Sequence, residues 1–88
     1  MEPIQSSTEE IRQAVAAELR AARARVRMTR PRLVELSGIS KSAIERLENG
    51  DRDMDIPQLI ALTSALRTDP TKFMQLVFEH LREEGSDT

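Results

Sequence analysis

Signals that begin and end helices recur along this chain and constrain its fold more than any other feature. Ser7 is followed three residues later by Glu10, which is the spacing of a capping box. The further N-cap candidates are Thr29, Ser40 and Asp55. Proline stands in the first turn after Thr29 and after Asp55, where its missing N–H has no helical partner to lose. Few stretches alternate polar and apolar residues, so the sequence predicts an all-α protein.

These signals divide the chain into five predicted helices that form one small domain. The predicted limits are 8–26, 30–36 and 41–48 for the first three helices and 70–84 for the last, and the fourth helix begins after Asp55. The domain covers 8–84, between a flexible segment at 1–7 and a disordered tail at 85–88. The apolar stripe expected on the first helix is Ile11, Val15, Leu19, Ala22 and Val26, and that of the fourth is Ile56, Leu59, Ile60, Leu62, Thr63 and Leu66.

The composition excludes several classes of function. The 88 residues include no Cys and one His, so disulfides, thiol catalysis and Cys-type zinc sites are excluded and no metal is expected. No glycine-rich phosphate loop is present, and we expect no catalytic residue, no cofactor and no small-molecule ligand. No apolar run is long enough to span a membrane, and the N-terminus does not read as a signal peptide. We expect a cytoplasmic, nucleoid-associated protein.

Charge is distributed unevenly along the chain. Residues 1–19 carry a net charge of −3, residues 20–52 carry +5, and residues 53–88 carry −4. A basic region between acidic flanks is the electrostatic pattern of a surface that binds phosphates, although a salt-bridged helical surface would read the same way.

Two short helices joined by a glycine-containing turn form a helix-turn-helix unit, here residues 29–49 with Gly38 in the turn. The second of these helices reads Ser40-Lys41-Ser42-Ala43-Ile44-Glu45-Arg46-Leu47-Glu48-Asn49-Gly50. This segment closely resembles the recognition helix of phage lambda-type repressors and Cro proteins, the xenobiotic-response-element family, and the resemblance extends from Leu19 to Met74. It implies a five-helix, lambda-repressor-like DNA-binding domain.

A recognition helix needs short or polar side chains at its exposed N-terminal end, because base edges in the major groove are read by hydrogen bonds. The candidates are Lys41, Ser42, Glu45 and Arg46. The resemblance implies that the first two and Arg46 approach bases, with Arg46 on a guanine edge. Lys41 suits either a guanine or a phosphate. Glu45 suits a cytosine amino group, but an ion pair on the surface is favoured.

Phosphate contacts are expected from the basic side chains that flank the reading helix and from helix N-termini. The residues predicted to make them are Arg23, Thr29, Arg30, Arg32, Ser40, Asn49 and Arg52. In the family, Arg23 and Glu48 correspond to an ion pair that joins the first helix to the third. Asn49 is equally consistent with a simple helix-ending turn. The family usually has glycine where Arg27 and Arg67 stand, so these helix ends must close differently or hold arginine in a left-handed conformation.

The last helix has an apolar arc of about 200°, wider than one core-facing stripe requires. We therefore predict that Met74, Phe78 and Leu81 form a homodimer interface, unless the whole arc fills a single core. His80 is expected to be an ordinary half-exposed helix residue.

The pattern favours a sequence-specific regulator that binds a palindromic double-stranded operator as a homodimer, most simply a Cro-like or minimal repressor. The alternative is an antitoxin or other protein-interaction module with the same fold. The short stretch after the last helix argues against an arm that wraps a toxin. An enzyme is not expected.

Overall fold

The computed structural model describes residues 5–85 and is helical without a strand in that range. The helices are α1 (Thr8–Arg25), α2 (Arg30–Ser37), α3 (Lys41–Asn49), α4 (Ile56–Ala65) and α5 (Pro70–Gly85). The limits predicted for α1, α2, α3 and α5 are confirmed to within one residue. Residues 1–4 of the predicted flexible segment 1–7 lie outside the described residues, and so do residues 86–88 of the predicted tail 85–88.

The N-cap signals act as the sequence predicts. The Ser7 side chain accepts from the backbone N–H of Glu10, whose carboxylate accepts from the Ser7 N–H in return. Thr29 and Ser40 cap α2 and α3 in the same way, each accepting from the N–H three residues later. Asp55 and Gln58 form a second complete capping box. Each cap satisfies a donor that the helix itself cannot, which is why the starts are so well determined.

The core forms around α1, which packs against α3 on one side and α5 on another. Three alanines of α1 are buried, Ala14, Ala16 and Ala22, and their small side chains allow both neighbours to approach closely. Leu19 is fully buried as predicted, but Ile11 and Val26 at the ends of the predicted stripe are exposed. A helix contacted on two sides buries a wider arc than one stripe, and its ends lie beyond its neighbours.

The buried face of α4 differs from the prediction. Leu62, Thr63 and Leu66 are buried, whereas Ile56 and Ile60 are 66% and 56% exposed. Among the helices described, α4 packs only against α2 and α5, and neither of them covers the side that carries Ile56 and Ile60. On α2, Leu33 is buried and Val34 packs against the core, while Leu36 faces solvent.

The prediction for α5 requires a correction. Leu81 is only 9% exposed and belongs to the core with Phe73 and Val77, so it is not available to a second molecule. These three residues follow one another at four-residue intervals and define the side of α5 that packs inward. Met74 is partly buried against the same core. Of the three residues predicted to form a dimer interface, only Phe78 is exposed, at 40%.

Two helices, α1 and α4, are each followed two residues later by an arginine in a conformation that favours glycine. Arg27 has a φ of 53° and Arg67 a φ of 57°, both in the left-handed region. Beside Arg27, the N–H of Met28 donates to the Arg23 carbonyl, and the corresponding bond after α4 joins Thr68 to Thr63. These are the bonds of the Schellman turn in which glycine usually occupies the left-handed position. The turn geometry is kept, and arginine adopts it at a steric cost.

We expect Arg27→Gly and Arg67→Gly each to raise the free energy of unfolding by about 0.5–1 kcal/mol, because glycine removes the steric cost of the left-handed turn but makes the unfolded chain more flexible. Urea denaturation of each variant measures the change.

The control is Gln75→Gly on the exposed side of α5, where glycine should lower the free energy of unfolding by about 1 kcal/mol. Destabilisation of the two arginine variants as large as that of the control would contradict the assignment of strain.

Candidate nucleic-acid interface

The exposed side of α3 carries the side chains that the sequence predicts to read bases. Lys41, Ser42 and Arg46 are exposed, and Glu45 is half-buried. Lys41 Nζ lies 3.9 Å from Glu45 Oε1, a loose ion pair one helical turn apart that agrees with the favoured interpretation of Glu45. Arg46 has no ion pair within the described part of the chain. This side of the helix therefore offers one unpaired guanidinium, one ammonium and one hydroxyl to a partner.

The opposite side of α3 anchors the helix. Ala43, Ile44 and Leu47 are buried as predicted, with Ile44 at 0% exposure. Gly50 ends the helix at a φ of 74° and packs against Gln13 of α1, where an added Cβ would lie 2.4 Å from the Gln13 amide nitrogen. The reading side is thus held rigidly by packing beneath it, as a recognition surface requires.

One carboxylate joins the helix-turn-helix unit to α1. Glu48 is fully buried, and Arg23 Nε donates to its Oε2 at 2.7 Å, which confirms the predicted pair. Arg30 Nε donates to Oε1, also at 2.7 Å. Burial by itself would raise the pKa of the Glu48 carboxyl, but the hydrogen bonds and charges of the two arginines outweigh it and the pKa lies below its ordinary value. The carboxylate is therefore ionised and three helices meet on it.

The turn of the unit has the predicted form. Gly38 ends α2 at a φ of 74°, where glycine has no steric penalty, and its N–H donates to the Val34 carbonyl at 2.9 Å. Thr29 and Ser40, both predicted phosphate contacts, use their hydroxyl oxygens to cap α2 and α3. Their hydroxyl hydrogens remain available as donors at the two helix N-termini.

The remaining predicted phosphate contacts occupy different surroundings. Arg32 pairs with Glu35 at 2.7 Å on the exposed side of α2. Asn49 is exposed at the end of α3, and its backbone carbonyl accepts from Gln13 at 3.4 Å. Arg52 is half-buried in the loop before α4. The neighbouring Asp53 is bound to Arg12 of α1 at 2.7 Å, which lowers the pKa of its carboxyl.

Sequence reasoning missed two sets of contacts. Arg20 of α1 donates to the backbone carbonyl of Glu48, at the end of α3. On α1, the buried carboxylate of Glu18 binds Arg25 at 2.8 Å and lies 3.2 Å from Nε2 of His80 on α5. His80 is half-buried, as expected. Arg20–Glu48 and Glu18–His80 join residues far apart in the sequence, and no local spacing indicates them, whereas Glu18 and Arg25 lie seven residues apart on α1.

Within residues 5–85, no three His, Cys, Asp or Glu side chains gather as a metal site would require. None of the helices described combines the length and hydropathy that crossing a bilayer demands.

The five helices, with α2 and α3 joined by the turn at Gly38, have the fold of a helix-turn-helix domain. The model of the family described as "Helix-turn-helix domain" matches residues 14–75, which is well over half of the chain, so the chain belongs to that family. This confirms the resemblance seen in the sequence.

Solved structures of three regulators are similar to this one. The clp gene regulator ClgR from Corynebacterium glutamicum is 23% identical with a TM-score of 0.82, over 96% of this chain and 85% of that one. The restriction-modification controller protein C.AhdI from Aeromonas hydrophila is 24% identical with a TM-score of 0.67, over 70% and 94%. The controller C.Esp1396I, a tetramer in complex with its 35 base-pair operator, is 18% identical with a TM-score of 0.74, over 81% and 93%. No curated protein matches the sequence significantly.

We expect Glu48→Gln to lower the free energy of unfolding at pH 7 by about 1–3 kcal/mol, because the buried group loses its charge-assisted hydrogen bonds. The pKa of Glu48 is lowered in the folded state, so its stabilisation is fully present above the ordinary value of 4.5 and is lost as the pH falls through the folded-state value. The difference between wild type and variant should shrink accordingly, as measured by urea denaturation between pH 7 and pH 3.

Glu35→Gln, which removes a carboxylate from an exposed ion pair, is the control and should change stability by less than about 0.5 kcal/mol. A Glu48→Gln difference of equal size at both ends of the pH range would show that the carboxylate charge is not what stabilises the fold.

Proposed function

We propose that this protein is a sequence-specific, double-stranded DNA-binding transcriptional regulator, a Cro-like or minimal repressor that binds a palindromic operator as a homodimer. The observation that carries the proposal is the division of α3 into two sides. Lys41, Ser42 and Arg46 face solvent, while Ile44 and Leu47 are buried, with no more than 1% of each residue exposed. The major groove of B-DNA admits one α-helix, and a helix anchored in this way presents its polar side to the base edges.

Specificity in this proposal comes from the exposed side of α3, from Lys41 and Ser42 in its first turn to Arg46 in its last. Arg46 is the preferred guanine contact, because its guanidinium is unpaired within the described residues and matches the O6 and N7 acceptors of guanine. Lys41 and Ser42 lie one turn nearer the helix N-terminus and contact the neighbouring base pairs. Glu45 orients Lys41 through their ion pair, so a contact of its own to cytosine is the lesser role.

Affinity comes from the phosphates that flank the groove. The N-caps Thr29 and Ser40 place backbone N–H groups and hydroxyl hydrogens at the starts of α2 and α3, where helix dipoles favour an anion. The side chains that add charge or donors are Arg23, Arg30, Arg32, Asn49 and Arg52. Since neutralised phosphates release counterions, binding should weaken steeply with salt.

A second copy of the chain is the partner that best fits the exposed apolar residues. Ile56 and Ile60 of α4 and Phe78 of α5 are exposed large apolar residues on two helices that pack together; we call them the proposed dimer surface. We infer that these residues form one apolar patch, and contiguous patches of this kind mark interfaces. A two-fold dimer places two copies of α3 about 34 Å apart, one turn of DNA, and so requires a palindromic site. The relative C.Esp1396I binds its operator as an assembly of several chains, which supports this arrangement.

Repression follows from occupancy of the operator. A dimer bound across two successive turns of the major groove covers the DNA that a polymerase would need, so the protein requires no catalytic group. Such a regulator works where the chromosome is, and we therefore place it in the cytoplasm at the nucleoid.

We expect Arg46→Ala to weaken operator binding by about 1–3 kcal/mol and to relax the preference at one base pair of each half-site. The operator is first obtained by selecting binding sites from random duplex DNA, and fluorescence anisotropy then measures affinity for the selected and for unselected duplexes. The control is Arg82→Ala on α5, an exposed arginine away from the helix-turn-helix unit. Equal losses on operator and unselected DNA would contradict a base contact.

We expect Ile60→Asp to convert the protein from a dimer into a monomer of 10.0 kDa, because a charge placed in an apolar interface has no partner. Sedimentation equilibrium measures the mass, and operator affinity should fall with it. Ile11→Asp introduces the same charge on an exposed residue of α1 and should leave the dimer intact. A stoichiometric complex with a different protein, together with an unchanged mass of the Ile60→Asp variant, would favour the protein-interaction alternative.

A further inference from the structure

Three arginines converge on Glu48, the penultimate residue of α3. Arg23 donates to both oxygens of the Glu48 carboxylate, with its Nε 2.7 Å from Oε2 and its Nη2 3.2 Å from Oε1. Arg30 donates to the carboxylate through Nε at 2.7 Å. Arg20 donates to the backbone carbonyl of the same residue. The cluster thus draws together α1, α2 and α3; we call Arg20, Arg23, Arg30 and Glu48 the arginine cluster.

The cluster carries more positive charge than its own carboxylate can neutralise. Three guanidinium groups face one ionised Glu48, and no other carboxylate pairs with them in the part of the chain that is described, which leaves an excess of two positive charges. Charge held this close together is costly unless an anion comes to it. The arrangement therefore favours a negatively charged ligand.

Most of the unused hydrogen-bond donors lie on two of the three arginines, Arg20 and Arg30. A guanidinium has five N–H donors. Arg23 uses three of its nitrogens, on Glu48 and on the Met28 carbonyl at 2.9 Å, and its side chain is 23% exposed. Arg30 and Arg20 each use one nitrogen, Arg30 is 37% exposed, and Arg20 is also exposed. Their remaining donors are the outer layer of the cluster.

The ligand chemistry that fits is a phosphodiester. Guanidinium groups bind phosphate oxygens through paired N–H donors, and Arg30 stands in the first turn of α2, where the helix dipole adds to its charge. Glu48 belongs to the helix proposed to enter the major groove, and the strands bordering that groove are lines of phosphates. We propose that Arg20 and Arg30 form a phosphodiester-binding site whose geometry Glu48 and Arg23 hold in place. This inference rests on the proposed function, and it adds Arg20 as a contact that the sequence did not predict.

A purely structural role explains only part of what Arg20 does. Its bond to the Glu48 carbonyl satisfies one acceptor near the end of α3. The preceding carbonyls of Arg46 and Leu47 already accept from the N–H groups of Gly50 and Asp51. Capping therefore occupies one of five donors, and a lysine or glutamine would serve it as well. The positive charge also suits the C-terminal dipole of α3, but the four remaining donors of Arg20 have no partner among the described residues.

The test is a salt titration of duplex binding with five variants, one of which combines Arg20→Gln with Arg30→Gln. Arg20→Gln and Arg30→Gln remove one charge each from the cluster, Arg20→Lys keeps the charge, and Arg82→Gln removes an exposed charge from α5. Anisotropy on the selected operator duplex and on an unselected duplex, between 50 and 200 mM salt, gives the slope of log K against log salt. Thermal unfolding of each variant checks that the fold is intact.

We expect the slope to become shallower by about 0.9 for Arg20→Gln and for Arg30→Gln, and by about twice that for the double variant, on both duplexes alike. Arg20→Lys should keep the wild-type slope, and so should Arg82→Gln. A slope for Arg20→Gln equal to that of Arg82→Gln would overturn the inference even if the wild type prefers its operator. A wild type without sequence preference would instead refute the proposed function, while an Arg20-dependent slope would still support the phosphodiester site.

Discussion

The buried carboxylate of Glu48 is the interaction on which the arrangement of this molecule depends. It lies on the inner side of α3 and is bound by Arg23 from α1 and Arg30 from α2. One ionised carboxylate therefore joins the three helices that carry the proposed DNA contacts. A buried charge is tolerated only when it is paired and hydrogen-bonded, and both conditions are met here. Apolar packing holds the buried side of α3, and the directed hydrogen bonds of Glu48 constrain the orientation of the helix further. The exposed direction of Lys41 and Arg46 follows from that orientation.

A second buried carboxylate performs a related task on the other side of α1. Glu18 is 1% exposed and binds Arg25 on its own helix and His80 on α5. The polar bond lies beside the apolar contacts of Phe73, Val77 and Leu81 with the core. α1 thus joins the two functional parts of the proposal, the reading helix through Glu48 and the C-terminal helix through Glu18. Its buried alanines leave room for both neighbours.

Helix limits were predictable because their causes are local. A cap such as Ser40 acts on the N–H three residues later, and the left-handed turn at Gly38 depends on that residue alone. Buried faces were less predictable, and α4 shows why. Its apolar residues are spaced for one wide face, but the neighbours of the helix cover only part of that face and leave Ile60 in solvent. On α5 the same ambiguity placed Leu81 on the wrong side.

The amino-acid sequence by itself determined the five helices, the helix-turn-helix unit and the polar composition of the reading side, because these follow from hydrogen bonds and spacings within a few residues. The Arg23–Glu48 pair was found through resemblance to a family and not through local spacing. Only the tertiary structure decided which cations share Glu48, where Glu18 finds its partners, and which apolar residues remain uncovered. These contacts join residues as far apart as Glu18 and His80, and such distances are set by the packing of whole helices.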